Sequence, residues 1–221
     1  MTVRKIKRRY RLKKTKQARV QMVIVLLGCL ILLGGIVRGI SGLLPVSYLD
    51  ASCSEIDGIP LYTDFLDPDW RGRTGEKHKI KWLVIHETGN PAAGTDAAMH
   101  NRYLHSVEQK DVPLSWHYTV DDHQIYHHLP DGERGYHASD SEVKGGGNDC
   151  GIGIEICVNE DGNYEQAVDN AAHLAAELIK RYGLALSDVK QHGDFTNKNC
   201  PERLREGNNY EEFLIKIKNY M

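Results

Sequence analysis

The residues best suited to chemistry are His86, which closes the apolar run Lys81-Trp82-Leu83-Val84-Ile85-His86, and three members of the polar segment Gln191-His192-Gly193-Asp194-Phe195-Thr196-Asn197-Lys198-Asn199-Cys200-Pro201. Two imidazoles and a thiolate suit zinc, and three protein ligands leave the fourth tetrahedral position to water, which marks a catalytic rather than a structural site. A histidine at a strand end, or a short His-to-Cys spacing, arises often by chance. Here they occur together, with the cysteine fixed before a proline in a turn too polar for a core segment. This conjunction points to a metal site on His86, His192 and Cys200, with Zn2+ as the cofactor. Lys198, two residues before the thiol, places an ammonium within reach of an oxygen that becomes negative during attack on a carbonyl.

A base is the next requirement. In Gly151-Ile152-Gly153-Ile154-Glu155-Ile156-Cys157-Val158 the isoleucines and Val158 fall on one face of a strand, and Gly153, Glu155 and Cys157 on the other. An unpartnered carboxylate in an apolar strand is expensive to bury. Beside a metal-activated water it has a use, as the general base. His137, in Tyr136-His137-Ala138-Ser139, and Trp116, in Ser115-Trp116-His117-Tyr118, are candidates for the wall of a substrate cleft. His117 is expected to be buried or to support the metal ligands from behind. The other seven histidines receive no role.

These residues need elements to hold them. Residues 80–86 form a nearly continuous apolar run, as in a strand buried on both faces, with His86 at the C-terminal end where open α/β sheets present ligands. Residues 95–106 read as a helix offering Ala97, Ala98, Tyr103 and Leu104 to the core. Residues 115–120 and 124–129 read as strands joined by a turn at Asp121-Asp122-His123. Gly145-Gly146-Gly147-Asn148 lacks the Lys-Ser/Thr ending of a phosphate loop and reads as a flexible turn. Residues 166–182 carry the clearest helical stripe (Ala167, Ala171, Leu174, Ala175, Leu178, Ile179), ended by Gly183, and 209–220 form a last amphipathic helix. Residues 61–79 are polar and turn-rich, a lead-in strip on the domain edge. Strands alternating with helices indicate the α/β class.

A length of 221 residues allows one ordinary domain with an appendage. Residues 1–44 hold 11 Lys and Arg and no acid, which leaves 17 basic and 30 acidic residues, a net charge of −13, in 45–221. The sixteen uncharged residues 22–37 can be extended to a membrane span by their neighbours if Arg38 snorkels to the interface. Because basic flanks stay inside, residues 1–19 are expected to be a cytoplasmic arm and 20–44 one N-terminal transmembrane helix. An extracellular tether (45–61) and an outward-facing catalytic domain (62–221) then follow, held at the cell membrane. A cleaved signal peptide is the alternative. Beside a span, the basic arm sets topology, so nucleic acid is not expected as a partner. With Cys29 in the span and Cys200 on the metal, Cys53, Cys150 and Cys157 allow at most one disulfide. Cys53 with Cys150 is one possibility, and Cys157 is expected to be buried.

Five blocks carry a resemblance: Trp82-Leu83-Val84-Ile85-His86-Glu87-Thr88-Gly89-Asn90-Pro91, Ser115-Trp116-His117-Tyr118, Tyr136-His137-Ala138, Ile152-Gly153-Ile154-Glu155-Ile156-Cys157-Val158-Asn159 and His192 through Pro201. In order, over about residues 62–205, they resemble the N-acetylmuramoyl-L-alanine amidase type 2 family of phage and bacterial peptidoglycan amidases, which includes the animal peptidoglycan recognition proteins. The resemblance implies a single domain with a central mixed β-sheet flanked by helices and zinc on His86, His192 and Cys200. It also implies a catalytic role at Glu155, a transition-state role at Lys198, and peptidoglycan as substrate, cut between N-acetylmuramic acid and L-alanine. Some members have tyrosine where Trp116 stands and lack the acid matching Glu155, so that tyrosine's role does not carry over. Tyr136 stands where tryptophan is frequent. A non-hydrolytic peptidoglycan-binding receptor or a membrane scaffold is the alternative, and the full ligand set with Glu155 argues against the receptor.

Overall fold

The computed structural model describes residues 55–221. The expected basic arm (1–19), the transmembrane anchor (20–44) and most of the tether, with Cys29 and Cys53, lie outside the described residues. Among the described residues no helix is long and apolar enough to cross a membrane.

The strands are β1 (Glu55–Ile56), β2 (Ile59–Thr63), β3 (Trp82–Glu87), β4 (Tyr118–Val120), β5 (Ile125–His127), β6 (Gly151–Ile156) and β7 (Val189–Gln191). They form one sheet in the order β1-β2-β5-β4-β6-β3-β7. It is mixed: β3 runs parallel to β6 and β7, β6 parallel to β4, and β4 antiparallel to β5. Residues 55–61, expected as the end of the tether, belong to this sheet. Asp57 and Gly58 both have positive φ (49° and 82°), which gives the two-residue turn that folds β1 back onto β2. β2 then adds in parallel to β5.

One face of the sheet is apolar because alternate side chains of its strands are apolar. Leu83, Ile85, Tyr118, Val120, Ile125, Ile152, Ile154 and Ile156 pack there against α3 (Tyr164–Tyr182) and α4 (Asn209–Tyr220). Helix α3 begins two residues before its expected start, where Asn163 accepts from the Gln166 N–H at 3.1 Å. Cutting Ile154 back to Ala in this sealed layer would cost about 2–5 kcal/mol.

The other face is covered by α1 (Ala97–Leu104), capped by Asp96, which accepts from the Met99 N–H at 2.7 Å. Tyr103 was expected in the core and is instead 41% exposed, whereas His100 and Asn101 are buried. The reason is polar. Trp116 Nε1–H donates to Thr119 Oγ1 (2.7 Å), Thr119 donates to His128 Nε2 (2.8 Å), and His128 Nδ1–H donates to Asn101 Oδ1 (3.1 Å), so the helix turns an amide inward. The glycine-rich stretch also differs from expectation. Gly147–Cys150 forms a short helix, α2, tied down by Asp140, which accepts from the Gly147 N–H at 2.6 Å. Cys150, Cys157 and Cys200 are free thiols among the described residues.

Candidate metal centre and cleft

Strand register builds the site. His86 lies opposite Glu155 across β3 and β6, and Glu155 lies opposite Thr119 across β6 and β4, so the three stand in a row on the face away from α3. β7 pairs with β3 as far as Ile85 with Gln191, which brings the next residue, His192, alongside His86. The segment after His192 closes on itself, with the Gly193 N–H donating to the Cys200 carbonyl at 2.9 Å. Cys200 is thus returned to the histidines.

The result is a compact donor set. Nδ1 of His86 lies 3.0 Å from Nδ1 of His192 and 3.9 Å from Sγ of Cys200, and ligand atoms of the three residues lie within 4.8 Å of one another. A tetrahedral zinc with ordinary bond lengths sets two nitrogens about 3.3 Å apart and a nitrogen and sulfur about 3.6 Å apart. The residues fit the ion in number, type and spacing.

Hydrogen bonds fix the tautomers. The Gly151 carbonyl can only accept, so Nε2 of His137, at 3.3 Å, carries the proton. Nδ1 of His137 then accepts from Nε2–H of His86 at 3.1 Å, which leaves the His86 Nδ1 lone pair facing the metal position. His137 stands on the cleft wall, with its ring spent on His86 rather than turned to the open space. His117 lies behind it, donating from Nε2 to the Glu133 carbonyl (2.8 Å) and accepting at Nδ1 from the Gly153 N–H (3.0 Å).

Electrostatics keep the imidazoles neutral. Burial, then the repulsion that protons on His137 and His192 would add and the Lys198 ammonium, hold His86 well below the usual histidine range. Burial and the Lys198 ammonium bring His192 down to about 4. Burial, then the Glu155 charge, pushes the Cys200 thiol up to about 11, while the Glu87 backbone N–H works in the opposite direction. A divalent cation beside that sulfur would reverse this and hold it as a thiolate.

Glu155 Oε1 lies 3.9 Å from Nδ1 of His86, and its Oε2 is buried without a hydrogen-bond partner among the described residues. Burial pushes its carboxyl up to about 7, Lys198 opposing and Glu87 adding. Lys198 is exposed and shares with Glu155 an open cleft of about 470 Å³ whose wall includes Trp116, Arg134 and Tyr136. Trp116 is 6% exposed and fixed through its indole N–H, so it offers the cleft an edge rather than a free platform.

Two participants were not evident from the sequence. Gly153 must lack a side chain, since a Cβ there would stand 2.7 Å from Cγ of His137. Glu87 accepts from the backbone N–H groups of Arg203 and Leu204 just beyond Cys200. The isoleucine alternation does signal a small residue at 153, but partners of Glu87 more than a hundred residues away leave no local pattern.

The family model described as N-acetylmuramoyl-L-alanine amidase matches residues 76–203, more than half of the chain. The N-acetylmuramoyl-L-alanine amidases XlyA and CwlH of Bacillus subtilis (strain 168) are 40% and 39% identical to it over 146 residues, 66% of this chain, and 48% and 57% of their own lengths. The chain thus spans about half the length of these curated relatives. The solved catalytic domain of XlyA superposes with a TM-score of 0.67 at 37% identity, covering 72% of this chain and 99% of that one.

Proposed function

This chain belongs to the N-acetylmuramoyl-L-alanine amidase family, and on that premise we propose that it hydrolyses the amide bond between N-acetylmuramic acid and L-alanine in peptidoglycan, as a zinc enzyme. The observation that carries the reading is the placement of Glu155 Oε1 3.9 Å from Nδ1 of His86, beside ligand atoms of His86, His192 and Cys200 that lie within 4.8 Å of one another.

His86, His192 and Cys200 would hold the ion. When bound, zinc supplies a Lewis acid that polarises a carbonyl and makes water a stronger acid. Glu155 takes the proton of the attacking water and delivers it to the departing L-alanine nitrogen. Lys198 turns its ammonium to the carbonyl oxygen as negative charge gathers there. Trp116 and Tyr136 bound the cleft in which the muramoyl and peptide parts lie.

We place this activity on the outer face of the cell membrane. The basic arm at 1–19 and the uncharged run at 22–37 support that placement, with residues 20–44 as anchor. The −13 charge of residues 45–221 gives no attraction to an anionic wall, so a tether would supply the local concentration.

The test is digestion of purified peptidoglycan, followed by mass spectrometry for muropeptides with new free L-alanine amino groups. The wild-type chain should release them, and Glu155→Gln should keep its zinc and release none. Wall that binds the protein without new amino termini would identify a receptor instead.

A further inference from the structure

We propose that Glu87 is a positioning residue for the thiolate ligand: its carboxylate clamps the segment that follows Cys200 and so sets where the sulfur stands relative to His86. This rests on the reading of His86, His192 and Cys200 as metal ligands.

Adjacent residues on a strand point to opposite faces. His86 turns to the face that carries Glu155, and Glu87 turns to the face of Ile156 on the helix-covered side, where it meets the chain beyond Cys200. There Oε2 accepts from the Arg203 N–H at 2.9 Å, and Oε1 accepts from the Leu204 N–H at 3.1 Å and the Tyr164 hydroxyl at 2.5 Å. The two amides open the 3-10 turn Arg203–Arg205, three and four residues past the sulfur. Each is anchored by its own side chain as well. Arg203 lies 4.8 Å over the Tyr164 ring and donates to the Val158 carbonyl, and Leu204 is buried in the core.

On the cleft side the Cys200 carbonyl is held by the Gly193 N–H. Cys200 is therefore pinned from before and after, and the later pin hangs on the residue next to its fellow ligand His86. Only a carboxylate suits this place. A glutamine would turn its NH2 group toward donors that have nothing to accept.

The experiment loads wild-type, Glu87→Gln and Tyr164→Phe proteins with Co2+. Sulfur-to-cobalt charge-transfer absorption, chelator competition and the melting of each metal-free protein are then recorded. In Glu87→Gln we expect the sulfur band to weaken or shift and Co2+ affinity to fall about 10- to 100-fold, with metal-free melting lowered by several degrees because the amide donors lose an acceptor, while the protein still folds. Tyr164→Phe keeps both amide contacts and should keep band and affinity. If Glu87→Gln does not fold, Glu87→Asp, too short to span both amides, carries the same readouts. A wild-type band and affinity in the Glu87 variant would overturn the clamp, as would an equal loss in Tyr164→Phe. A wild-type protein that takes up no Co2+ would overturn the metal reading and the clamp together, whatever its effect on cell wall.

Discussion

Nε2 of His86 meets Nδ1 of His137 at 3.1 Å, and because His137 already donates from Nε2 to the Gly151 carbonyl, the proton between the two rings belongs to His86. The proposed metal ligand is thereby oriented by a neutral imidazole and a backbone carbonyl. Replacing His137 with Phe keeps the ring volume and removes the acceptor. Zinc affinity, read by competition with a chelator, should fall about 10- to 100-fold. Unchanged affinity would mean that His86 is oriented by packing alone.

Gly153 makes room for that ring. In Gly153→Ala the new methyl would stand 2.7 Å from His137 Cγ, in a strand flanked on both sides, so neither partner can easily yield. Overpacking of this kind costs about 1–3 kcal/mol, visible as a lower urea midpoint. Because the clash falls on His137, zinc affinity should drop as well. A destabilised variant with full affinity would separate the ring's fit from the metal.

Lys198 is exposed and makes no close ion pair among the described residues, so Lys198→Met should leave stability within about 0.5 kcal/mol. Loss of an oxyanion partner costs about 10²–10³ in turnover. Zinc content should persist. A variant that binds wall and turns over normally would restrict Lys198 to the cleft rim.

Much of this site was legible because its parts are local. His192, Lys198 and Cys200 share one short polar segment, and strict alternation in 151–158 sets Glu155 opposite the core face. What was hidden depends on distance along the chain. His137 meets His86 across 51 residues, and Glu87 meets Arg203 across 116, so their roles exist only once the sheet is assembled. β7 has three residues, too few for a period, and β1 with β2 shows only the Asp57-Gly58 turn between short flanks. Helix α1 stands where expected, with Ala97 and Leu104 buried, but Tyr103 points out because the inward face carries His100 and Asn101, and apolar periodicity cannot report a buried polar network.

Acid should weaken the fold through its buried histidines before the exposed carboxylates titrate. Burial holds His117 and His128 well below the ordinary histidine value, and His100 at about 4. The unfolded chain therefore takes up protons near pH 6.5 that the folded chain refuses. These groups contribute their stability in full above that pH, and it is lost below, at about 1.4 kcal/mol per unit for each histidine. At pH 5.5 His100 alone removes about 1.4 kcal/mol, against a usual total of about 5–15, and His117 and His128 act in the same direction. His100 offers the cleanest check, since its Nε2 is buried without a hydrogen-bond partner among the described residues and its ring lies edge-on to Trp116. Urea midpoints of wild-type and His100→Leu proteins, compared between pH 7.5 and 5.0, cancel the other titrating groups. The wild-type curve should fall more steeply below pH 6.5, and parallel curves would show that His100 titrates equally in both states.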